Sequence, residues 1–236
     1  GADRMNDVFS PEKVQSMLAS LPDLPFATWE SFYVTILSTL MALVIGLPLG
    51  VLLVVGDKDG LLPMPRWLMT ALNFLINLLR SVPFLILMIM VQPLSQLLLG
   101  TTIGTTASII PLVAASFPFV ARLVETSLRE VDGGVVEAAQ SMGATPFQII
   151  AKVMIPESMP SLIANVTIAL TTILSYNAMA GIIGGGGLGQ IAINYGYYRY
   201  ETLIMYVYTA VLVIMVQVFQ SFGTWLAARC DKRLRK

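Results

Sequence analysis

The chain contains no histidine and a single cysteine, Cys230, and charged residues make up only 12% of it. A lone thiol excludes an internal disulfide, and without histidine a Cys/His metal site is excluded too. Lysine and arginine number 14 against 14 acidic residues, a net charge of zero, so no basic field exists to hold a nucleic acid. Soluble domains carry about 25% charged residues. Here the shortfall is uneven: charge gathers in the first residues, in a few short loops and in the tail Arg229-Cys230-Asp231-Lys232-Arg233-Leu234-Arg235-Lys236. The remainder is apolar. A hydrophobic content of 56% and a mean hydropathy of +0.77 place the chain in a membrane before any motif is read.

Residues 1–28 are polar. Gly1-Ala2-Asp3-Arg4 reads as a non-native leader before Met5, and no short apolar core with a small-residue cleavage site marks a signal peptide. Ser10-Pro11-Glu12 is a helix start, with Ser10 as cap and proline at the first helical position. Val14, Met17, Leu18 and Leu21 then share one face, which predicts a short interfacial helix. Residues 29–229 form the membrane domain, with five segments near the ~20 apolar residues that a bilayer requires. They run roughly Phe32 to Val55, within Trp67 to Leu99, Ala107 to Leu128, Leu162 to Ile183 and Thr202 to Ala228. Gly46 and Gly50 in the first segment allow another helix to pack closely. Arg80 and Pro83 interrupt the second. The expected class is an all-α integral membrane protein with five transmembrane helices.

Lysine and arginine set the orientation. With the N-terminus outside, the cytoplasmic side holds Lys58, Arg66, Arg129, Lys152, Arg229, Lys232, Arg233, Arg235 and Lys236, nine residues against Arg4, Lys13 and Arg199 outside. Residues 230–236 are then a basic cytoplasmic tail. Reading 66–99 as a hairpin would turn the N-terminus inward, but two full crossings barely fit there.

The loop 129–160 carries the densest pattern. Glu137-Ala138-Ala139 is followed by three residues, Gly143, nine residues and Val153-Met154-Ile155-Pro156. Glu137 to Met142 are good helix formers, Gly143 can take the left-handed conformation that ends a helix, and Thr145-Pro146 restarts one. Two short helices joined by a tight bend would make a compact knob able to transmit a push. Ala138 and Ala139 allow close approach, and Glu137 offers a carboxylate to bond a partner or brace the bend. The pattern resembles the EAA loop of ABC-importer permeases, the contact between a membrane subunit and its ATPase. The resemblance implies coupling roles for Glu137, Ala138, Ala139, Gly143 and Pro156, with Val153 and Ile155 replacing the usual Ile and Leu.

Other candidates lie inside the spans. Arg122 and Glu125 can pair on one helix face, either as a functional group at membrane depth or as a structural snorkelling pair. Arg80 lies in Leu79-Arg80-Ser81-Val82-Pro83, a run shared with amino-acid permeases of this class. Thr167, Thr171 and Ser175 form a polar stripe on the fourth span, with Asn165, Thr172, Tyr176 and Met179 in a neighbouring row. Such stripes either bond other helices or line a water-filled path. Asn177 and Tyr176 are costlier to bury unpaired than threonine, which favours a path or a dimer interface. Gly184 to Gly189 matches G-x-G-x-x-G, yet no strand precedes it and no lysine follows, so it is read as a bend rather than a nucleotide site. Tyr195, Tyr197, Tyr198 and Tyr200 suit an aromatic belt.

Ser175-Tyr176-Asn177-Ala178-Met179-Ala180-Gly181, the glycine run through Gln190, Gly143-Ala144-Thr145-Pro146 and Tyr195-Gly196-Tyr197 together resemble the permease subunit of bacterial methionine ABC importers, from about Ser31 to Ala228. The resemblance implies a type I ABC-importer permease fold in a bacterial inner membrane. It implies a homodimer, two cytoplasmic ATP-binding subunits that hold the ATP and magnesium, and a substrate-binding protein or lipoprotein outside. It also implies that Met179 lies at the gate of a pathway, and the polar stripe and its neighbours add Thr171, Ser175, Tyr176 and Asn177 as candidate pathway residues. Asn177 departs from the small residue of the family pattern. The chain itself is expected to hold no cofactor and to perform no catalysis. The alternatives are a permease for another amino acid and a stand-alone secondary transporter. The latter usually shows midplane acidic ion sites, and here only Glu125 falls inside a confident span.

Overall fold

A computed structural model of the protein describes residues 10–231. The proposed leader at Gly1–Arg4 and most of the basic tail lie outside the described residues. No strand occurs among the described residues. Helix α1 (Pro11–Ser20) and a 3-10 turn (Leu21–Asp23) lead into α2 (Leu24–Val55); then come α3 (Arg66–Ser81), α4 (Phe84–Leu99) and α5 (Thr105–Arg129). Short helices α6 (Gly133–Ser141), α7 (Pro146–Ile149) and α8 (Ile155–Glu157) precede α9 (Met159–Ala180). After the glycine run come α10 (Gly187–Ile191), a π-helix (Ala192–Tyr198) and α11 (Thr202–Cys230).

A helix forms where the interfacial helix is expected, with Pro11 at its first position, but Ser10 makes no side-chain cap bond. Helices α2, α5, α9 and α11 are each long and apolar enough to cross a membrane. The expected second span is not one straight helix. It breaks between α3 and α4, which bend by 109°. The cause is Pro83, which lacks an N–H and forces Val82 into an extended conformation at φ −76°, ψ 129°. At 1.5 Å per residue each half is about 24 Å long, short of the ~30 Å hydrocarbon core, so neither crosses alone. The five-span count holds with this broken pair as one crossing.

The chain divides into two compact units, and four of its helices, α2, α5, α9 and α11, contribute residues to both. The first takes the described residues up to Thr39, Phe84–Ala114 and Thr171–Val218. Its core is Val34, Ile109, Leu112 and Val113, with Tyr33, Phe84 and Tyr176 packed against it. The glycine run folds back as expected. Gly184, Gly186 and Gly187 have φ of 83°, 78° and 71°, a region that favours glycine. The Glu30 carboxylate accepts from the Gly187 N–H at 3.0 Å and from the Thr105 hydroxyl at 2.6 Å, and Ser31 Oγ accepts from the Leu188 N–H at 2.9 Å. Tyr197, Tyr198 and Tyr200 are exposed, while the Arg199 guanidinium lies over Tyr195 at 4.5 Å.

The second unit takes Leu40–Pro83, Ala115–Leu170 and the described residues from Phe219. Its core centres on Leu53, Ile76 and Ala121, with Leu49, Met69 and Leu72 around them. Gly46 and Gly50 do what their size allows. A Cβ on Gly46 would lie 2.7 Å from Val120 Cγ1, and one on Gly50 would lie 2.6 Å from Val124 Cβ, so α2 and α5 meet closely there.

Candidate functional site

The segment joining α5 to α9 is built by local rules. Asp132 starts α6, its carboxylate accepting from the Gly134 N–H at 2.7 Å and satisfying one of the open donors of a first helical turn. α6 therefore begins one turn ahead of Glu137, and Asp132-Gly133 is the sequence signal for that start. The helix ends at Gly143, whose φ is 77°. The Ala144 N–H donates to the Ala139 carbonyl at 3.2 Å and the Gly143 N–H to the Gln140 carbonyl at 2.9 Å. These are the paired bonds of a Schellman cap. Two residues on, Thr145 and Gln148 cap each other: the Gln148 N–H donates to Thr145 Oγ1 at 3.4 Å and the Thr145 N–H to Gln148 Oε1 at 2.9 Å. With Pro146 at the first position, α7 has a complete capping box.

Beyond α7 the backbone widens into a π-helix, Ile150–Met154, closed by the Ile155 N–H donating to the Ile150 carbonyl. Pro156 supplies no N–H, and in an α-helix its ring would strike the carbonyl four residues back; the wider turn leaves room for it. The result is the expected knob of short helices around a tight bend. Ala139, Ile149 and Met154 are buried, whereas Glu137, Ala138, Gly143 and Pro156 are exposed. Glu137 does not brace the bend: its carboxylate has no hydrogen-bond or ion-pair partner among the described residues, while its backbone carbonyl accepts from Ser141 Oγ at 3.0 Å. Met142 and Phe147, on either side of Gly143, are 81% and 77% exposed. A groove of about 590 Å³ runs along the knob, lined by Asp57, Arg129, Gly133, Glu137, Gln140 and Met154.

Next to the knob, within the same second unit, lies a line of polar contacts. Arg129, the last residue of α5, donates to Asp57 at 2.9 Å and to Glu125 at 3.0 Å. Glu125 also takes Arg122 at 2.6 Å, the pair expected from their spacing. Arg122 goes on to donate to Asn73 at 2.8 Å and Asn77 at 2.9 Å, both on α3. Bonds from Arg129 and from the Lys58 N–H hold the Asp57 carboxyl below its ordinary value of 3.8. Arg80, at the C-terminal end of α3, is outside this line and has no hydrogen-bond or ion-pair partner among the described residues, though its charge suits the helix end.

The α9 candidates separate by face. Thr171, Ser175 and Met179 recur every four residues and share one face; Ser175 is exposed and Met179 is 40% exposed. Between α9 and α11 two grooves open, one of about 420 Å³ including Ser175, Ala178 and Gln217, the other of about 290 Å³ including Met179, Ile182 and Met205. Tyr176 stacks on Phe84 with ring centroids 4.0 Å apart and planes within 9°. Asn177 is not exposed to a path: it is 2% exposed, and its amide donates to the Ser31 carbonyl at 3.2 Å and to Thr35 Oγ1 at 3.4 Å. The burial cost that pointed it towards a path is met instead by α2. In the second unit Asn165 likewise bonds α5, donating to Ser127 Oγ at 2.7 Å and to the Leu123 carbonyl at 3.2 Å. Glu30, Asp132 and Gln148 carry structural bonds that were not singled out from sequence.

Comparison with known proteins is consistent across three kinds of likeness. The family described as "binding-protein-dependent transport system inner membrane component" matches residues 42–236. The "probable D-methionine transport system permease protein MetI" of Vibrio cholerae serotype O1 is 50% identical over 210 residues, spanning 88% of this chain and 92% of that protein. The "methionine import system permease protein MetP" of Bacillus subtilis is 46% identical over 158 residues, spanning 67% and 71%. A solved inward-facing structure of the MetNI methionine ABC transporter superposes with a TM-score of 0.86 at 39% identity, covering 89% of this chain and 96% of that one.

Proposed function

The chain belongs to the family of binding-protein-dependent transport system inner membrane components, and we propose from that premise that it is the membrane-spanning permease subunit of an ATP-driven methionine importer. The substrate reading rests on the likeness to methionine permeases over 88–89% of this chain. The observation that carries the mechanism is the knob at 133–157, closed by a Schellman cap and a capping box, with Met142 and Phe147 projecting from it. A rigid body with an exposed apolar tip is what a mechanical contact needs.

In this reading the chain performs no catalysis. Two copies form the pathway, two cytoplasmic ATPase subunits hold ATP and magnesium, and a substrate-binding protein or lipoprotein delivers methionine from outside. The N-terminus is outside and the C-terminus is cytoplasmic in a bacterial inner membrane. Closure of the ATPase pair by ATP draws the knobs together, and the two permease copies rock from inward-open to outward-open. Glu137, Ala138, Ala139, Gly143 and Pro156 shape the contact. Thr171, Ser175 and Met179 face the pathway, while Tyr176 and Asn177 hold α9 in place through Phe84 and Ser31.

The test is uptake by proteoliposomes containing this chain, its ATPase and the binding protein. Methionine should accumulate only when hydrolysable ATP is on the ATPase side, and unlabelled methionine should compete better than other amino acids. Better competition by a different amino acid would refute the substrate; uptake by the chain alone on an ion gradient would refute the class.

A further inference from the structure

The polar line Asp57–Arg129–Glu125–Arg122–Asn73/Asn77 lies in one compact unit and joins three parts of it: the loop after α2, the inner end of α5, and α3. Arg129 occupies a particular place in it. It is the final residue of α5, and only residues 130–132 separate it from α6. Those three residues contain a bond from the Val131 N–H to the Leu128 carbonyl at 3.4 Å and the Asp132 cap, which is little to keep a short connector stiff. At its other end the knob joins α9 through Ser158 alone, but a displacement of the knob reaches α5 only through this connector, and a helix end free to fray would absorb it. Arg129 prevents that by holding two carboxylates from different elements with one guanidinium, a geometry that a planar fork of donors suits.

We infer that Arg129 is a positioning residue of the coupling step: by fixing the end of α5 to the loop after α2, it makes α5 follow the knob as a rigid lever. Glu125 and Arg122 carry the same constraint one and two turns further along α5 and tie it to α3. The inference rests on the proposed coupling role of the knob. Isolated surface ion pairs contribute little to stability, and the Arg129 and Asp57 side chains are 48% and 51% exposed, so their loss should leave the fold standing while loosening the lever.

The experiment uses the assembled transporter in proteoliposomes and reads methionine transported per ATP hydrolysed, alongside the unfolding temperature of the complex. Arg129→Met keeps the aliphatic stem and removes both bonds; Asp57→Asn weakens one of them from a loop. Each should lower the transport-to-hydrolysis ratio roughly threefold to tenfold, within the range of network effects on coupling. Arg129→Lys should restore part of the ratio, since it keeps the charge but not the fork. Gly143→Val serves as the control for the knob itself. If Gly143→Val abolishes transport and Arg129→Met leaves the ratio unchanged, the lever is wrong and the knob reading stands. If Arg129→Met lowers only the unfolding temperature, its role is structural and the inference fails. Normal ratios in both variants would overturn the inference together with the coupling role.

Discussion

Replacing Gly143 by valine strains the left-handed bend of the knob by adding only three carbon atoms. At φ 77° the residue sits in the left-handed region, and a Cβ built there meets nothing within 4 Å. The cost is therefore in the backbone rather than in a clash with neighbours. An L-residue in that region costs roughly 1–2 kcal/mol, more when β-branched. If the chain escapes the strain, it gives up the Gly143–Gln140 and Ala144–Ala139 bonds, at about 0.5–1.5 kcal/mol each. Either route costs a few kcal/mol within a bend of a few residues that lies outside the spanning helices. The assay compares ATP-driven methionine uptake and detergent unfolding for Gly143→Val and Gly143→Asn. Asparagine tolerates the left-handed conformation and should keep most of the uptake, whereas valine should lose nearly all of it with the membrane domain still folded. Parental uptake in the valine variant would refute the reasoning. Equal loss in both would show that side-chain bulk at the contact matters and backbone conformation does not.

Met179 is 40% exposed on the face proposed to line the pathway, and its flexible thioether can seal against a second copy without fixing polar partners. Met179→Asp should assemble normally but leak small solutes from liposomes without ATP; a tight, transporting variant would assign Met179 to packing. Asn177→Leu should lose the bonds to Ser31 and Thr35 and lower stability by about 1–3 kcal/mol in a thermal melt, with uptake per folded molecule unchanged. Lost uptake at an unchanged melting temperature would return Asn177 to the pathway. The lowered Asp57 carboxyl means that its stabilising contact is complete above its ordinary value of 3.8 and is lost only as pH falls through the lower folded value. The transport-to-hydrolysis ratio should therefore be flat between about pH 6 and pH 8 where this contact governs it, and a fall in that window that Asp57→Asn abolishes would contradict the assignment.

The range of each contact decides what the sequence discloses. The knob is closed by bonds between residues at most five apart, so Gly143, Thr145 and Pro146 declare it in a single line of text. The Arg122–Glu125 pair follows equally from a spacing of three, but its extension to Asn73 and Asn77 does not, because those partners are 49 and 45 residues away. Asn177 shows the limit most clearly. Its burial cost points to a path or a dimer interface, and only the fold supplies its partner Ser31, 146 residues back. Glu30 was silent for the same reason, capping Gly187 from 157 residues away. The break at Pro83 was visible as an interruption; its angle depends on what each half packs against, which no local pattern encodes.

The central claim is that the knob between α5 and α9 is where the ATPase takes hold. A photo-crosslinking side chain at Met142, 81% exposed beside the bend, can be placed in the assembled transporter in native membranes. Illumination should join this chain to the ATPase subunit, with a yield that changes between ATP-bound and nucleotide-free states. Crosslinks to lipid or to an extracytoplasmic protein, from complexes that still contain the ATPase, would contradict the account.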